Sequence, residues 1–227
     1  MPETTAHPQG IWPAIRAAFR QNRLPCLLLN LLVVALVASY YLWPAVAGVW
    51  ESAGEFKTRW SYAFSFGSTA LSAAVLPFAI QGMMETLPAG NRLKAFLLLT
   101  AFWGYRGMEI DLLYRFQGWL FGHGNDPATL AAKVAVDQFI YSPLWAVPTY
   151  VIALRWIDLG CSWSRTRASL DRRFWTHTYP TILVTNAIVW IPAVTLVYSL
   201  PGPLQFPLFS IIMCFFVLLV TLLARGK

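Results

Sequence analysis

Apolar residues in this chain occur in long runs, separated by short stretches that are polar or contain proline and glycine. About 20 consecutive apolar residues are enough to cross a bilayer as a helix. Six runs approach or exceed that length, at residues 26–48, 60–84, 95–121, 130–157, 181–200 and 208–224. The pattern predicts an all-α polytopic membrane protein, a bundle of about six transmembrane helices.

Two further segments have an amphipathic pattern. In residues 11–23 the apolar side chains repeat every four residues and arginines occupy another face, which is typical of a helix lying on the membrane surface. A mitochondrial-type transit peptide is the weaker interpretation. Leu170 and Phe174 show the same spacing and predict a second surface helix between the fourth and fifth spans. We therefore divide the chain into a polar and amphipathic segment, 1–24, and a single transmembrane bundle, 25–227.

Composition and charge support this assignment. The 227 residues are 57% hydrophobic and 12% charged, whereas soluble domains average about 25% charged residues. The net charge is +7, and six spans place most of the basic residues on one side of the membrane. Because basic loops stay inside, both termini are predicted on the inner, cytoplasmic side of a bacterial inner membrane or an organelle membrane. Only Lys57, Arg59 and Lys133 fall in the predicted outer segments.

The third run carries four ionisable residues, and each costs about 2.5–3.5 kcal/mol at the centre of a membrane helix. At 100° per residue, Arg106, Glu109 and Gln117 share one face. Asp111 and Arg115 form an i,i+4 pair on the roughly opposite face, beside glycines that favour close helix packing. We expect the first face to line a water-filled cavity and the second pair to support packing. The interpretation that both only hold the bundle together is equally open.

Polar residues in the fourth and fifth runs complete a predicted structural network. Asp137 lies at about the level of Arg115, so a buried ion pair between them is expected and is favoured over contact of Asp137 with a solute. Gln138 belongs to the same network, and Asn186 is predicted to form a hydrogen bond between helices.

No pattern of residues indicates catalysis, a metal or a cofactor. The three histidines are far apart, and the sequence has no HExxH motif, phosphate-binding loop, GxSxG elbow or dinucleotide-binding fingerprint. Glu109 and Asp111 point in different directions and are poorly placed as a paired acid and base. No basic stripe with interleaved aromatics suggests nucleic-acid binding. We predict a protein that is not an enzyme and whose partners are membrane lipid and small solutes.

From the third run onward, the chain resembles the family that contains peroxisomal membrane protein two and the mitochondrial inner-membrane protein of mitochondrial DNA maintenance. The family's Gly-Pro-x-x-His-x-Trp-Tyr-Lys motif is only partly matched, since Met108, Asp111 and Leu113 replace its proline, histidine and tryptophan. The matching positions, spread over residues 100–225, are Gly107, Tyr114, Arg115, Asp137, Gln138, Pro143, Tyr179, Pro180, Asn186, Trp190 and Pro192. The members of this family are integral membrane proteins, and several are described as pores for small solutes. The resemblance therefore implies an integral membrane protein that forms a pore for small solutes.

Three functions are open at this point. The first is a channel for small hydrophilic solutes, lined by the Arg106 face. The alternative is a non-conducting scaffold that binds a partner or anionic lipid through its basic inner face. An ion-coupled transporter comes third, because the chain has no clear internal repeat. Pairing of every third-span charge in a dry core would favour the scaffold, and a continuous polar cavity would favour transport.

Overall fold

Helices make up almost all of the described chain, and the predicted all-α fold is confirmed. The computed structural model describes residues 11–83 and 91–223, and no strand occurs among them. The α-helices there are α1 (Ile11–Leu42), α2 (Pro44–Ala70), α3 (Leu76–Met83), α4 (Arg92–Phe121), α5 (Pro127–Val136), α6 (Val147–Asp158), α7 (Trp163–Ser169), α8 (Tyr179–Tyr198) and α9 (Gly202–Leu223). The polar start at 1–10, the predicted turn at 87–90 and the basic residues at 225 and 227 lie outside the described residues.

Three π-helical stretches join some of these helices end to end. They are Leu71–Val75 between α2 and α3, Asp137–Ala146 between α5 and α6, and Phe174–Thr178 before α8. Proline lacks an N–H, and its ring clashes with the carbonyl four residues earlier in a helix. The residue whose carbonyl the ring would meet lies inside a π-helical stretch for three prolines, Pro77, Pro143 and Pro180. The wider turn therefore accommodates each proline without ending the helix.

Several predicted boundaries are wrong. The amino-terminal surface helix and the first span are one helix, α1, which ends at Leu42 because Pro44 forces Trp43 into an extended conformation (φ −124°, ψ 104°). The last helix begins at Gly202 rather than at residue 208. The prediction of a second surface helix is also wrong, since α7 ends at Ser169 and Phe174 is buried in a small core.

The main core lies where α1, α8 and α9 meet. Leu29 and Val33 of α1, Ala193 and Val197 of α8, and Leu208 of α9 are completely buried there. The thiol of Cys26 also donates to the Ile188 carbonyl oxygen, which Pro192 leaves without its helical donor. On the other side of the bundle, α4 packs extensively against α2.

The surface has the polarity expected of a protein in lipid. Large apolar side chains such as Trp119 (78% exposed), Leu144 (73%) and Val49 (70%) point outward. Lys57 and Lys133 are instead buried, at 6% and 2% exposure. Soluble proteins show the reverse arrangement, with lysine almost never fully buried.

Three helical segments in the described part are long and apolar enough to cross a membrane: Arg23–Leu42, Pro44–Met83 and Phe174–Tyr198. The apolar helix at Gly202–Leu218 is shorter. These segments are compatible with a membrane protein but number fewer than the six predicted spans. Helix α4 does not qualify because its charged residues interrupt the apolar run.

Candidate functional site

Close contact between α4 and α2 brings charged residues of both helices together. Gly107 lies directly against α2, where an added Cβ would collide with the carbonyl oxygen of Ser65 and the side chain of Thr69. Gly104 is packed in the same way against the ring of Phe66. The predicted role of small residues in close helix packing therefore agrees with the structure at these positions.

The first polar group is an ion cluster centred on Asp111, whose side chain is almost completely buried. Its carboxylate accepts from Lys57 Nζ at 2.6 Å, Ser65 Oγ at 2.8 Å and Arg115 Nε at 3.1 Å. Lys57 lies one turn before Ser61 and Ser65 one turn after it, and Ser61 interrupts α2 with a positive φ of 46°. The ion pair predicted between Asp111 and Arg115 is present, and Lys57 extends it across to α2.

The second polar group surrounds Arg106, which is 5% exposed. Its Nη1 donates to both oxygens of Glu109, at 2.8 and 3.0 Å, and to Thr149 Oγ1 at 3.3 Å. The hydroxyl of Tyr141 donates to Glu109 as well. Glu109 therefore compensates the Arg106 charge within the bundle, and α6 and the stretch before it supply the neutral partners.

The third polar group is a chain of hydrogen bonds that ends at a buried carboxylate. Gln117 Nε2 donates to the Tyr198 hydroxyl at 2.8 Å, and that hydroxyl donates to Asp137 Oδ2 at 2.6 Å. Gln138 Nε2 donates to the other oxygen, Asp137 Oδ1, at 2.9 Å. Asp137 is 6% exposed, and no cation pairs with it among the described residues.

A cavity of about 590 Å³ lies between five segments of the bundle. Its walls come from residues 73–81, α4, the stretch from Asp137 through α6, α8 and α9. Most lining side chains are apolar or aromatic, and the polar ones include Arg106, Asp137, Gln138, Tyr141 and Asn186. A volume of 300–1,000 Å³ with apolar walls and a few converging polar groups is typical of a small-molecule site.

The three residues that were predicted to line a cavity together do not all do so in the structure. Arg106 lines it, but Glu109 and Gln117 do not. Gln117 is fully buried and turned towards Tyr198 on α8. The prediction is therefore wrong for Gln117, because neighbouring helices determine which part of a helix faces the cavity.

The predicted structural network also needs correction. Arg115 binds Asp111 and the Ser61 hydroxyl, so the ion pair with Asp137 is not formed. Asp137 and Gln138 line the cavity and contact each other. Asn186 lines the same cavity and makes no hydrogen bond with the described residues, so its predicted bond between helices is not formed.

The motif positions support the walls of the cavity. Tyr114 is buried against the rings of Tyr198, Phe206 and Phe209. The Tyr179 hydroxyl, next to Pro180, donates to the carbonyl oxygen of Pro143 and so ties the fifth predicted span to the fourth. Trp190, one of the cavity residues, packs on Phe209 and Phe216 with ring centroids 5.8 and 5.7 Å apart.

Comparisons with family models, with curated proteins and with solved structures found no match. The resemblance stated from the motifs therefore stays a prediction.

Sequence reasoning missed three of the residues that complete these groups: Lys57, Tyr141 and Tyr198. Tyr141 follows Asp137 by four residues and could have been placed on the same side of the helix from spacing alone. Lys57 and Tyr198 lie 54 and 61 positions from their respective carboxylate partners. No local pattern connects residues so far apart.

Proposed function

We propose that this chain is a membrane-spanning bundle of about six helices, with both termini on the inner side, that admits small solutes into its internal cavity and lets them pass. The observation that carries the proposal is the convergence of Arg106, Asp137 and Gln138 on one cavity in a bundle that exposes many large apolar side chains. Polar and ionisable groups are costly at that depth, and they mark solute paths when they face a cavity. The resemblance to a family with pore-forming members favours the same function.

The proposed path differs from the one expected from the α4 sequence. Gln117 is engaged away from the cavity, and Glu109 lies behind the lining residues that bind it. Residues of the fourth predicted span line the cavity in their place. The largely apolar walls favour solutes that combine an apolar body with a polar group over strictly hydrophilic ones.

Release of solutes from liposomes that contain the protein tests this function. The purified chain would be reconstituted, and release of neutral and charged solutes of graded size would be measured. Ala146 lines the cavity, so Ala146→Phe should fill part of it. Crowding by added side-chain atoms costs about 1–3 kcal/mol, so release should slow about tenfold or more. Ala135 is exposed on α5, and Ala135→Phe is the matched control that should leave release unchanged.

A non-conducting scaffold is the second candidate, and one observation favours it. All four ionisable side chains in the middle of α4 have charge partners within the described bundle. Under this alternative, correctly inserted protein would leave the liposomes sealed, and Ala146→Phe would behave like Ala135→Phe.

A further inference from the structure

The charges around the cavity do not balance. Arg106 and Glu109 neutralise each other through two hydrogen bonds from one guanidinium nitrogen. Among the described residues, Asp137 has only neutral donors, the Tyr198 hydroxyl and the Gln138 amide. Since Tyr198 also accepts from Gln117 Nε2, its own proton is directed to Asp137. Both carboxylate oxygens therefore accept hydrogen bonds from neutral groups, and no cation among the described residues pairs with this carboxylate at the cavity wall.

A second acceptor next to this carboxylate has no partner. Gln138 is 6% exposed and lines the cavity, and its Oε1 makes no hydrogen bond among the described residues. Its Nε2 donates to Asp137 Oδ1, and Oε1 is the end of the amide without a donor among the described residues. Burying an amide oxygen without a donor is unfavourable, so this atom indicates a missing donor.

The remaining walls suit a cation that carries an apolar body. Trp103, Tyr150, Trp190 and Phe209 contribute aromatic rings to the cavity. Aromatic faces attract ammonium groups, most strongly where water is excluded. An ammonium has three N–H donors and no acceptor, which complements a carboxylate beside an unpartnered amide oxygen.

We infer that the cavity binds a small organic cation, with a protonated amino group at Asp137, beside the Gln138 amide, and an apolar body among the aromatic side chains. This inference rests on the proposed function and specifies its solute class. It gives Asp137 a ligand-binding role in place of the structural ion pair predicted from the sequence.

Three probes of nearly equal shape and different charge test the inference. The full chain in nanodiscs of zwitterionic lipid would bind radiolabelled 2-phenylethylammonium, with competition by neutral 2-phenylethanol and by anionic 3-phenylpropionate. The ammonium should compete about 30-fold better than the alcohol, the factor for the weaker desolvated charge pairs. The anion should compete least.

Asp137→Asn keeps the shape of the side chain and removes its charge, so the preference for the ammonium over the alcohol should disappear. The matched control is Asp158→Asn, an exposed aspartate at the end of α6, which should keep the preference. Equal binding of ammonium and alcohol by the unmodified protein would overturn the inference. A preference that survives Asp137→Asn would do so too, because it would place the recognition elsewhere.

A measurement on the unmodified protein covers the case in which Asp137→Asn does not fold. Dicyclohexylcarbodiimide adds to carboxyl groups in apolar sites during the time that they carry a proton, which passes to a carbodiimide nitrogen. Mass spectrometry would follow its attachment to Asp137, and a bound ammonium that keeps the carboxylate ionised should slow it. The ammonium should slow this labelling and the alcohol at equal concentration should not, whereas equal effects would count against the site. Flux that depends on the cavity without an ammonium preference would preserve the proposed function and reject this inference. Ammonium binding by the inserted protein in liposomes that stay sealed would support this inference and reject the proposed function.

Discussion

The ion cluster between α2 and α4 provides a sharp test of how the bundle is stabilised. Asp111 is 1% exposed and is the one acidic partner of both Lys57 and Arg115 among the described ion pairs. Asp111→Asn keeps the shape and removes the charge. Lys57, at 6% exposure, would then keep a buried charge without a counter-ion.

The magnitude follows from burial. Removing one partner of a buried ion pair costs about 3–5 kcal/mol, because the remaining charge is neither solvated nor paired. Lys57→Met should cost less, since Asp111 would still bind Arg115 and Ser65. Arg115 has 44% of its side chain exposed, so Arg115→Met should cost at most about 1 kcal/mol, as for exposed pairs. The expected order of destabilisation is therefore Asp111→Asn, then Lys57→Met, then Arg115→Met.

Reversible unfolding of the detergent-solubilised chain would measure this order, with Asp158→Asn as the control for loss of an exposed aspartate. The double variant Asp111→Asn with Lys57→Met removes both buried charges and should be much less destabilised than the sum of its two single changes. If Asp111→Asn cost less than about 1 kcal/mol, burial of an uncompensated lysine would not explain the cluster. Simple additivity in the double variant would refute the coupling of Asp111 to Lys57.

Two further changes probe helix packing and the hydrogen-bond chain. Gly107→Ala places a methyl group against the Ser65 carbonyl and should cost about 1–3 kcal/mol through overpacking in the same unfolding assay. Gly67 has open space around it, so Gly67→Ala should be neutral or stabilise the protein by up to about 1 kcal/mol. Equal effects of the two would contradict the close contact. Tyr198→Phe removes the hydroxyl between Gln117 and Asp137 and should lower the free energy of unfolding by about 1–3 kcal/mol, measured by thermal unfolding. Tyr41 is exposed and donates to the Ser199 carbonyl, so Tyr41→Phe should lower it less. The reverse order would reject the buried chain of hydrogen bonds.

The sequence was sufficient for the helical class and for the local ion pairs. Asp111 with Arg115 and Arg106 with Glu109 are one helical turn apart, so the helical period alone brings their side chains together. The prolines at 77 and 143 also act locally: one π-helical stretch ends two residues before Pro77, and another contains Pro143. These features depend on neighbours along the chain, which sequence periodicity reports directly.

Contacts between distant segments were not predictable in the same way. Asp137 was matched with Arg115 because both lie near the same predicted membrane depth, but depth does not specify how each helix is rotated. The structure turns Asp137 towards Tyr198 on α8 and turns Arg115 towards Ser61 on α2. Helix rotation depends on packing contacts such as that of Gly107 with Ser65, which a single sequence does not reveal.

The π-helical stretch at Asp137–Ala146 connects the local sequence with the candidate site. A π-helix has more residues per turn than an α-helix, so successive side chains are separated by a smaller angle. Asp137, Gln138, Tyr141 and Ser142 therefore share a narrower face than α-helical geometry would give them, and all four line the cavity. Pro143 favours this wider turn because its ring would clash with the carbonyl of Phe139 in a regular helix. The proline thus favours a geometry in which Asp137 and Gln138, which are bonded to each other, both line the cavity.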